Sequence, residues 1–209
     1  MDKKLDGLIS EKNIYGKVFL FHGDNKYYRE LYINKIKRIF GDLVLGINYI
    51  KLSDTNVLNL IYEANTPTFG YENKLIVVNN SKLFKINRKK GTNDNIDDNV
   101  SSNSNETDIL SFLESNQIPD NVTIIFNEDE VAKTKKIYKT IDKIGITTEF
   151  KTLTQSELVS YVATLCKKYG VNISKDTATY FVECCNNNMD DIINEIRKLI
   201  EYNSKLELK

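Results

Sequence analysis

A phosphate loop, G-x-x-x-x-G-K-[ST], holds a nucleotide for definite reasons. Its glycines let backbone N–H groups wrap the phosphates, its Lys reaches the β and γ oxygens, and its hydroxyl holds magnesium. The stretch Gly23-Asp24-Asn25-Lys26-Tyr27-Tyr28-Arg29-Glu30 stands where such a loop belongs, after an apolar run and before a helical pattern. Gly23 opens it correctly, but Tyr28 replaces the second Gly, Arg29 the Lys and Glu30 the hydroxyl. A tyrosine ring closes the space a nucleotide needs, and the Glu30 carboxylate would face phosphate charge. These losses argue against nucleotide hydrolysis. The run Ile124-Ile125-Phe126-Asn127-Glu128-Asp129-Glu130 resembles a magnesium-holding strand only superficially. Magnesium needs its acid at the strand end opposite the phosphate loop, where Asn127 sits, so the acids beyond it read as a solvated turn.

Other catalytic chemistry finds no residues to carry it. His22 is the one histidine, and Cys166, Cys184 and Cys185 are the three cysteines. A structural zinc needs about four Cys/His ligands at motif spacing, so no metal site is expected; the thiols read as buried and free. His22 closes an apolar run and reads as a structural residue, which leaves no Ser/His/Asp set. The remaining candidate is Ala64-Asn65-Thr66-Pro67-Thr68-Phe69-Gly70-Tyr71. A Pro/Gly turn there carries Phe69, a ring that either projects into a partner's pocket as an anchor or packs on its own domain. The pattern leaves both open.

The elements that position these residues alternate between strand and helix. Lys17–His22, Asn48–Leu52, Lys74–Val78, Val122–Phe126 and Ile146–Phe150 are short β-rich apolar runs. Between them lie helical spacings: Tyr32, Ile33, Ile36 and Phe40 before Gly41; Val57, Leu60, Ile61 and Ala64; Leu110 and Leu113; and Ile137, Ile141 and Ile144 before Gly145. Such alternation predicts right-handed crossovers and a parallel sheet covered on both faces. After Phe150 only helices are predicted, with a capping box at Thr154–Glu157, a cap at Ser174, and an apolar stripe through Met189, Ile192, Ile193, Ile196, Leu199 and Ile200. The boundary falls at 151/152. Residues 87–108, rich in Asn, Asp and Ser, have almost nothing to bury and are expected to form a mobile insertion.

Composition limits the function classes. With 41% hydrophobic and 28% charged residues among 209, the chain is an ordinary globular protein rather than a disordered one. Lys+Arg and Asp+Glu are equal at 29 each, which removes the basic field of a dedicated nucleic-acid binder. Local basic faces remain at Lys35, Lys37 and Arg38 and at Lys133, Lys135, Lys136 and Lys139. The N-terminus lacks an apolar signal region and no run approaches the ~18 apolar residues of a membrane span. A cytoplasmic protein without membrane contact is expected.

Taken in order, Val18-Phe-Leu-Phe-His-Gly-Asp-Asn25, the Thr66-Pro-Thr-Phe-Gly70 turn leading to Lys74-Leu-Ile-Val-Val78, Lys136-Ile-Tyr-Lys139, and Glu195-Ile-Arg-Lys-Leu199 resemble the delta subunit of the bacterial DNA polymerase III clamp loader. The resemblance spans essentially the whole chain. It implies a degenerate AAA+-like α/β domain over 1–151, with a five-stranded parallel sheet in the order 5-1-4-3-2, and a three-helix lid over 152–209. It further implies a non-catalytic part of the polymerase holoenzyme, without cofactor, that binds the ring-shaped sliding clamp (the beta subunit) and opens one interface. The clamp-binding element falls on Thr66, Pro67, Thr68, Phe69, Gly70 and Tyr71; Thr68 departs from the family's large apolar residue and Ala64 from a Gln found in some members. Delta prime and tau/gamma subunits are the further partners implied, with primer-template DNA contacted indirectly. The family's helical collar domain has no counterpart in the sequence, so a monomeric fragment is expected. The alternatives are a P-loop NTPase with an unorthodox site and a DNA-binding module.

Overall fold

The computed structural model describes residues 3–85, 98–115 and 117–206, with the side chains of 98–105 and 203–206 left aside. The chain divides into two compact units, Met1–Phe150 and Lys151–Lys209. In the first, strands β1 (Val18–His22), β2 (Tyr49–Ser53), β3 (Lys74–Asn79), β4 (Val122–Glu128) and β5 (Ile146–Glu149) form one sheet. Its order is β2-β3-β4-β1-β5, and every pairing is parallel. This is the predicted 5-1-4-3-2 order. Nearly every residue of β1, β3 and β4 is buried, which is why these strands read as unbroken apolar runs rather than as alternation.

Helices cover both faces. α3 (Leu60–Asn65), α4 (Asp98–Glu114) and α5 (Lys136–Ile144) pack on the face made by Val18, Leu20, Ile76, Val78, Ile124 and Phe126. The alternate residues point the other way: Phe21 meets Phe150, which in turn meets Tyr32 of α2 (Lys26–Phe40). Helix α1 (Lys3–Ser10) joins that side through buried Leu5 and through Asp6, whose carboxylate accepts the Tyr32 hydroxyl at 2.7 Å. The sequence analysis missed α1, because its eight residues hold a central Gly7 and few apolar positions.

The predicted insertion over 87–108 needs correction. Residues 86–97 lie outside the described residues, while 98–108 belong to α4, which begins about three turns before Leu110. Ile109, Phe112 and Leu113 seat the helix in the core, and Glu106 accepts a bond from the Lys135 ammonium at 2.9 Å. Once a helix is anchored, each added residue gains a backbone hydrogen bond without a new nucleus. Polar composition therefore does not stop it.

The second unit comprises α6 (Gln155–Lys168), α7 (Lys175–Cys184) and α8 (Met189–Leu206). Thr154 forms the anticipated capping box with Glu157, and the Ser174 hydroxyl accepts the Thr177 N–H. Met189, Ile192 and Ile196 are buried with Val162 and Val182, but Leu199 is 57% exposed, so the apolar stripe of α8 is narrower than its spacing suggests. Cys185 is buried and Cys166 partly so, whereas Cys184 is exposed, contrary to the reading of all three thiols as buried. Among the described residues no helix is long and apolar enough to cross a membrane.

Gly145 turns the chain from α5 into β5, and a Cβ placed on it would lie 2.3 Å from the Val18 carbonyl oxygen of β1. Gly145→Ala should therefore lower stability by about 1–3 kcal/mol through overpacking. Urea unfolding of the two proteins measures it.

Candidate functional site

The two candidate stretches lie at opposite ends of the sheet: the 23–30 loop follows β1, and the 66–71 turn precedes β3. At the β1 end, four of the loop's backbone donors, those of Asn25, Lys26, Tyr28 and Arg29, already have acceptors. Asn25 N–H donates to the Phe150 carbonyl at 3.0 Å, Lys26 N–H to the Asp24 carbonyl at 3.0 Å and Arg29 N–H to the Asn25 carbonyl at 3.2 Å. The Asn25 side chain caps α2 by accepting the Tyr28 N–H at 3.1 Å, in the place an anion would take at a helix N-terminus. Tyr28 is buried beside the loop.

Arg29 is 3% exposed, and its guanidinium turns inward to the end of β4. It donates to the Asn127 side-chain oxygen at 2.6 Å and pairs with Asp129. Asn127 passes its amide to Asn79 at 2.8 Å and to Glu30 at 3.3 Å. Glu128 is completely buried, and one of its oxygens accepts both the N–H and the hydroxyl of Ser81, at 2.8 and 2.6 Å. Burial pushes the Glu128 carboxyl above its ordinary range, against the pull of those bonds. The reading of Glu128, Asp129 and Glu130 as a solvated turn is thus corrected at Glu128, which ends the strand and is buried, while Asp129 and Glu130 are exposed. The Ser81–Glu128 contact spans 47 residues of sequence and the Arg29–Asp129 pair 100, so neither leaves a local signal.

A cavity of about 730 Å³ opens at this end, lined by His22, Gly23, Asp24, Lys85, Glu130, Lys133 and Glu149 among others. Its carboxylates, Asp24, Asp129, Glu130 and Glu149, outnumber its amines, Lys85 and Lys133, and Lys133 is itself paired to Glu149 at 2.8 Å. The field there is unfavourable for a polyphosphate. His22 is buried against the edge of Tyr138, and desolvation holds its imidazole below the ordinary value despite Glu149.

The other end displays an aromatic ring. Phe69 is 80% exposed, so its ring does not pack into the core of its own domain. Helix α3 leads into the turn, with Thr66 bonding back to the Tyr62 carbonyl through both its N–H and its hydroxyl, at 3.0 and 2.8 Å. Thr68 closes the turn by donating its hydroxyl to the Tyr71 carbonyl at 2.6 Å while its own carbonyl accepts the Tyr71 N–H at 3.2 Å. Gly70, at φ 84°, occupies the left-handed position that the turn requires. Pro67 is exposed beside Phe69, and Ala64 is buried under α3.

One residue that the sequence analysis passed over holds this end together. Lys74, the first residue of β3, is 1% exposed, and its ammonium donates to the Glu63 and Thr66 carbonyls, both at 2.7 Å. These are the last, otherwise unmatched acceptors of α3, where the helix dipole also favours a cation. Burial holds the Lys74 ammonium below its ordinary pKa, with Glu63 opposing. A Lys opening an apolar strand was the available signal, since lysine is almost never fully buried without partners.

No protein-family model matches the chain, and no curated protein matches it. Solved structures do. The Bacillus subtilis DNA clamp loader delta protein (YqeN) aligns over 95% of this chain and 57% of its own, with a TM-score of 0.68 and 19% identity. A RuvB variant of Thermotoga maritima aligns over 97% of this chain and 60% of its own, with a TM-score of 0.51 and 11% identity. The chain thus spans less than two thirds of either structure. At these identities the likeness establishes the fold, an AAA+-like α/β architecture with a clamp-loader delta-like arrangement of elements.

Replacing Lys74 by Met keeps the aliphatic stem but strands two buried carbonyls. A loss of about 2–4 kcal/mol is expected, in line with other buried polar groups deprived of a partner. Chemical denaturation gives the number, and hydrogen exchange should show the largest gain in amide exchange at residues 66–71.

Proposed function

We propose that the chain is a non-hydrolysing, AAA+-like subunit that binds a DNA sliding clamp and favours its open form during replication. The observation that carries this reading is Phe69, an aromatic side chain four-fifths exposed on a hydrogen-bonded turn. The backbone of the turn is already ordered by its hydrogen bonds, so entry of the ring into a partner's apolar pocket costs mainly the ring's own rotamer freedom. Thr66, Pro67, Thr68, Gly70 and Tyr71 shape the turn, and the contact opens the ring only in so far as this surface fits the open clamp interface better than the closed one. Residues 151–209 would serve as the lid of the AAA+-like domain. In a complete loader the neighbours would be delta prime and tau/gamma subunits, with primer-template DNA reached through them, in the cytoplasm.

The loop after β1 supports a subunit without a nucleotide or metal cofactor. Its N–H groups at Asn25, Lys26, Tyr28 and Arg29 are matched internally, the Arg29 charge is committed to Asn127 and Asp129, and the adjoining cavity is acidic. The structure gives the DNA-binding alternative little support. Lys133, Lys135 and Lys136 are paired with Glu149, Glu106 and Glu114, so this basic face is largely neutralised.

Two outcomes are expected. Calorimetry with ATP and magnesium should show no binding; micromolar affinity that disappears in Arg29→Ala would restore the NTPase reading. Phe69→Ala should cost about 2–4 kcal/mol of affinity for the sliding clamp of the same organism, the usual range for a buried aromatic anchor. The melting temperature should hardly move, since the ring contributes little to its own core. A large drop in melting temperature with intact clamp affinity would make Phe69 a structural residue.

A further inference from the structure

A second apolar surface lies at the same end of the sheet as Phe69. β2 and β3 are parallel neighbours with Tyr49 opposite Leu75, and Leu75 N–H donates to the Asn48 carbonyl at 2.8 Å. The segments leading into these two strands therefore emerge side by side. One is the 66–71 turn. The other is the loop between α2 and β2, in which Val44, Leu45 and Ile47 are 38%, 65% and 40% exposed.

This loop is held in place by its own hydrogen bonds. Asn48 is buried, accepts the Val44 N–H on its side-chain oxygen at 2.7 Å and donates its amide to the Asp42 carbonyl at 2.8 Å. The Val44 carbonyl collects the N–H groups of Ile47, Asn48 and Tyr49, and Gly46 N–H donates to the Tyr49 carbonyl at 2.9 Å. Turning Leu45 inward would break this network. Three apolar side chains within four residues, fixed outward by a buried amide, form the kind of patch that marks a contact surface.

We propose that the Val44–Ile47 loop is a second anchor for the clamp that receives Phe69, with Leu45 seated on apolar surface beside the Phe69 pocket. The inference rests on the clamp-binding reading above and extends it to a residue set outside the turn. Area supplies the reason. One aromatic side chain buries ~150–250 Å², whereas a stable interface takes ~800 Å² from each partner. A clamp holding Phe69 must cover adjoining surface. A footprint of that area is about 30 Å across, and the first residues of β2 and β3 are adjacent strand positions ~4.8 Å apart.

The test is affinity for the purified sliding clamp of the same organism, measured for the unaltered chain, Leu45→Ser, Ile47→Ser, Phe69→Ala, the Leu45→Ser/Phe69→Ala double variant and Tyr62→Ser on α3. Melting temperatures are recorded alongside. Leu45→Ser should weaken binding about tenfold or more at an unchanged melting temperature, Ile47→Ser should weaken it less, and the double variant should bind worse than either parent. If Leu45→Ser and Ile47→Ser both bind normally while Phe69→Ala does not, the second anchor is wrong and the Phe69 reading stands. A loss in Tyr62→Ser with both loop variants silent overturns it as well, placing the footprint on α3. Failure of the unaltered chain to bind the clamp removes both readings together, and that arm alone identifies it.

Discussion

The turn that carries Phe69 is positioned by a buried charge. Lys74 opens β3 buried, and its desolvation is offset by the Glu63 and Thr66 carbonyls and by the Glu63 charge. An ammonium bonded to the Glu63 and Thr66 carbonyls fixes where α3 stops relative to the sheet. The residues after Thr66 then cover the distance to β3 in the turn that carries the exposed Phe69. A hydrophobic residue at position 74 would pack acceptably in β3 but would leave the end of α3, and with it the turn, without a fixed position.

The opposite end of the sheet is also held by long-range polar contacts. There the N–H groups of Asn25, Lys26 and Arg29 donate to the carbonyls of Phe150, Asp24 and Asn25, and the Arg29 guanidinium is tied to β4. Arg29, Asn127, Asn79 and Glu30 form one continuous polar network across α2, β4 and β3. A half-matched network of this kind is costly, and Arg29, Asn127 and Glu30 are held within this one. At the other end of the parallel sheet, exposed apolar side chains are carried on the loops before β2 and β3.

The sequence by itself determined the architecture. Five apolar runs separated by helical spacings predict a parallel sheet with right-handed crossovers, and the capping box at Thr154 and the stop at Gly145 follow from patterns a few residues long, whereas the strand order was implied only by the resemblance to clamp-loader delta subunits. The candidate turn was legible too, since Pro67 and Gly70 bracket Phe69. Tertiary structure alone decided the rest. That Lys74 can be buried depends on the Glu63 and Thr66 carbonyls, which come from a different part of the fold. That Glu128 is buried depends on Ser81, and that Arg29 is inward depends on Asn127, 98 residues away. The extension of α4 to Asp98 depends on anchors near its other end. Periodicity reports which face of an element meets a core, because that constraint repeats along the chain; a single buried polar contact repeats nowhere, and only the folded chain brings its two halves together.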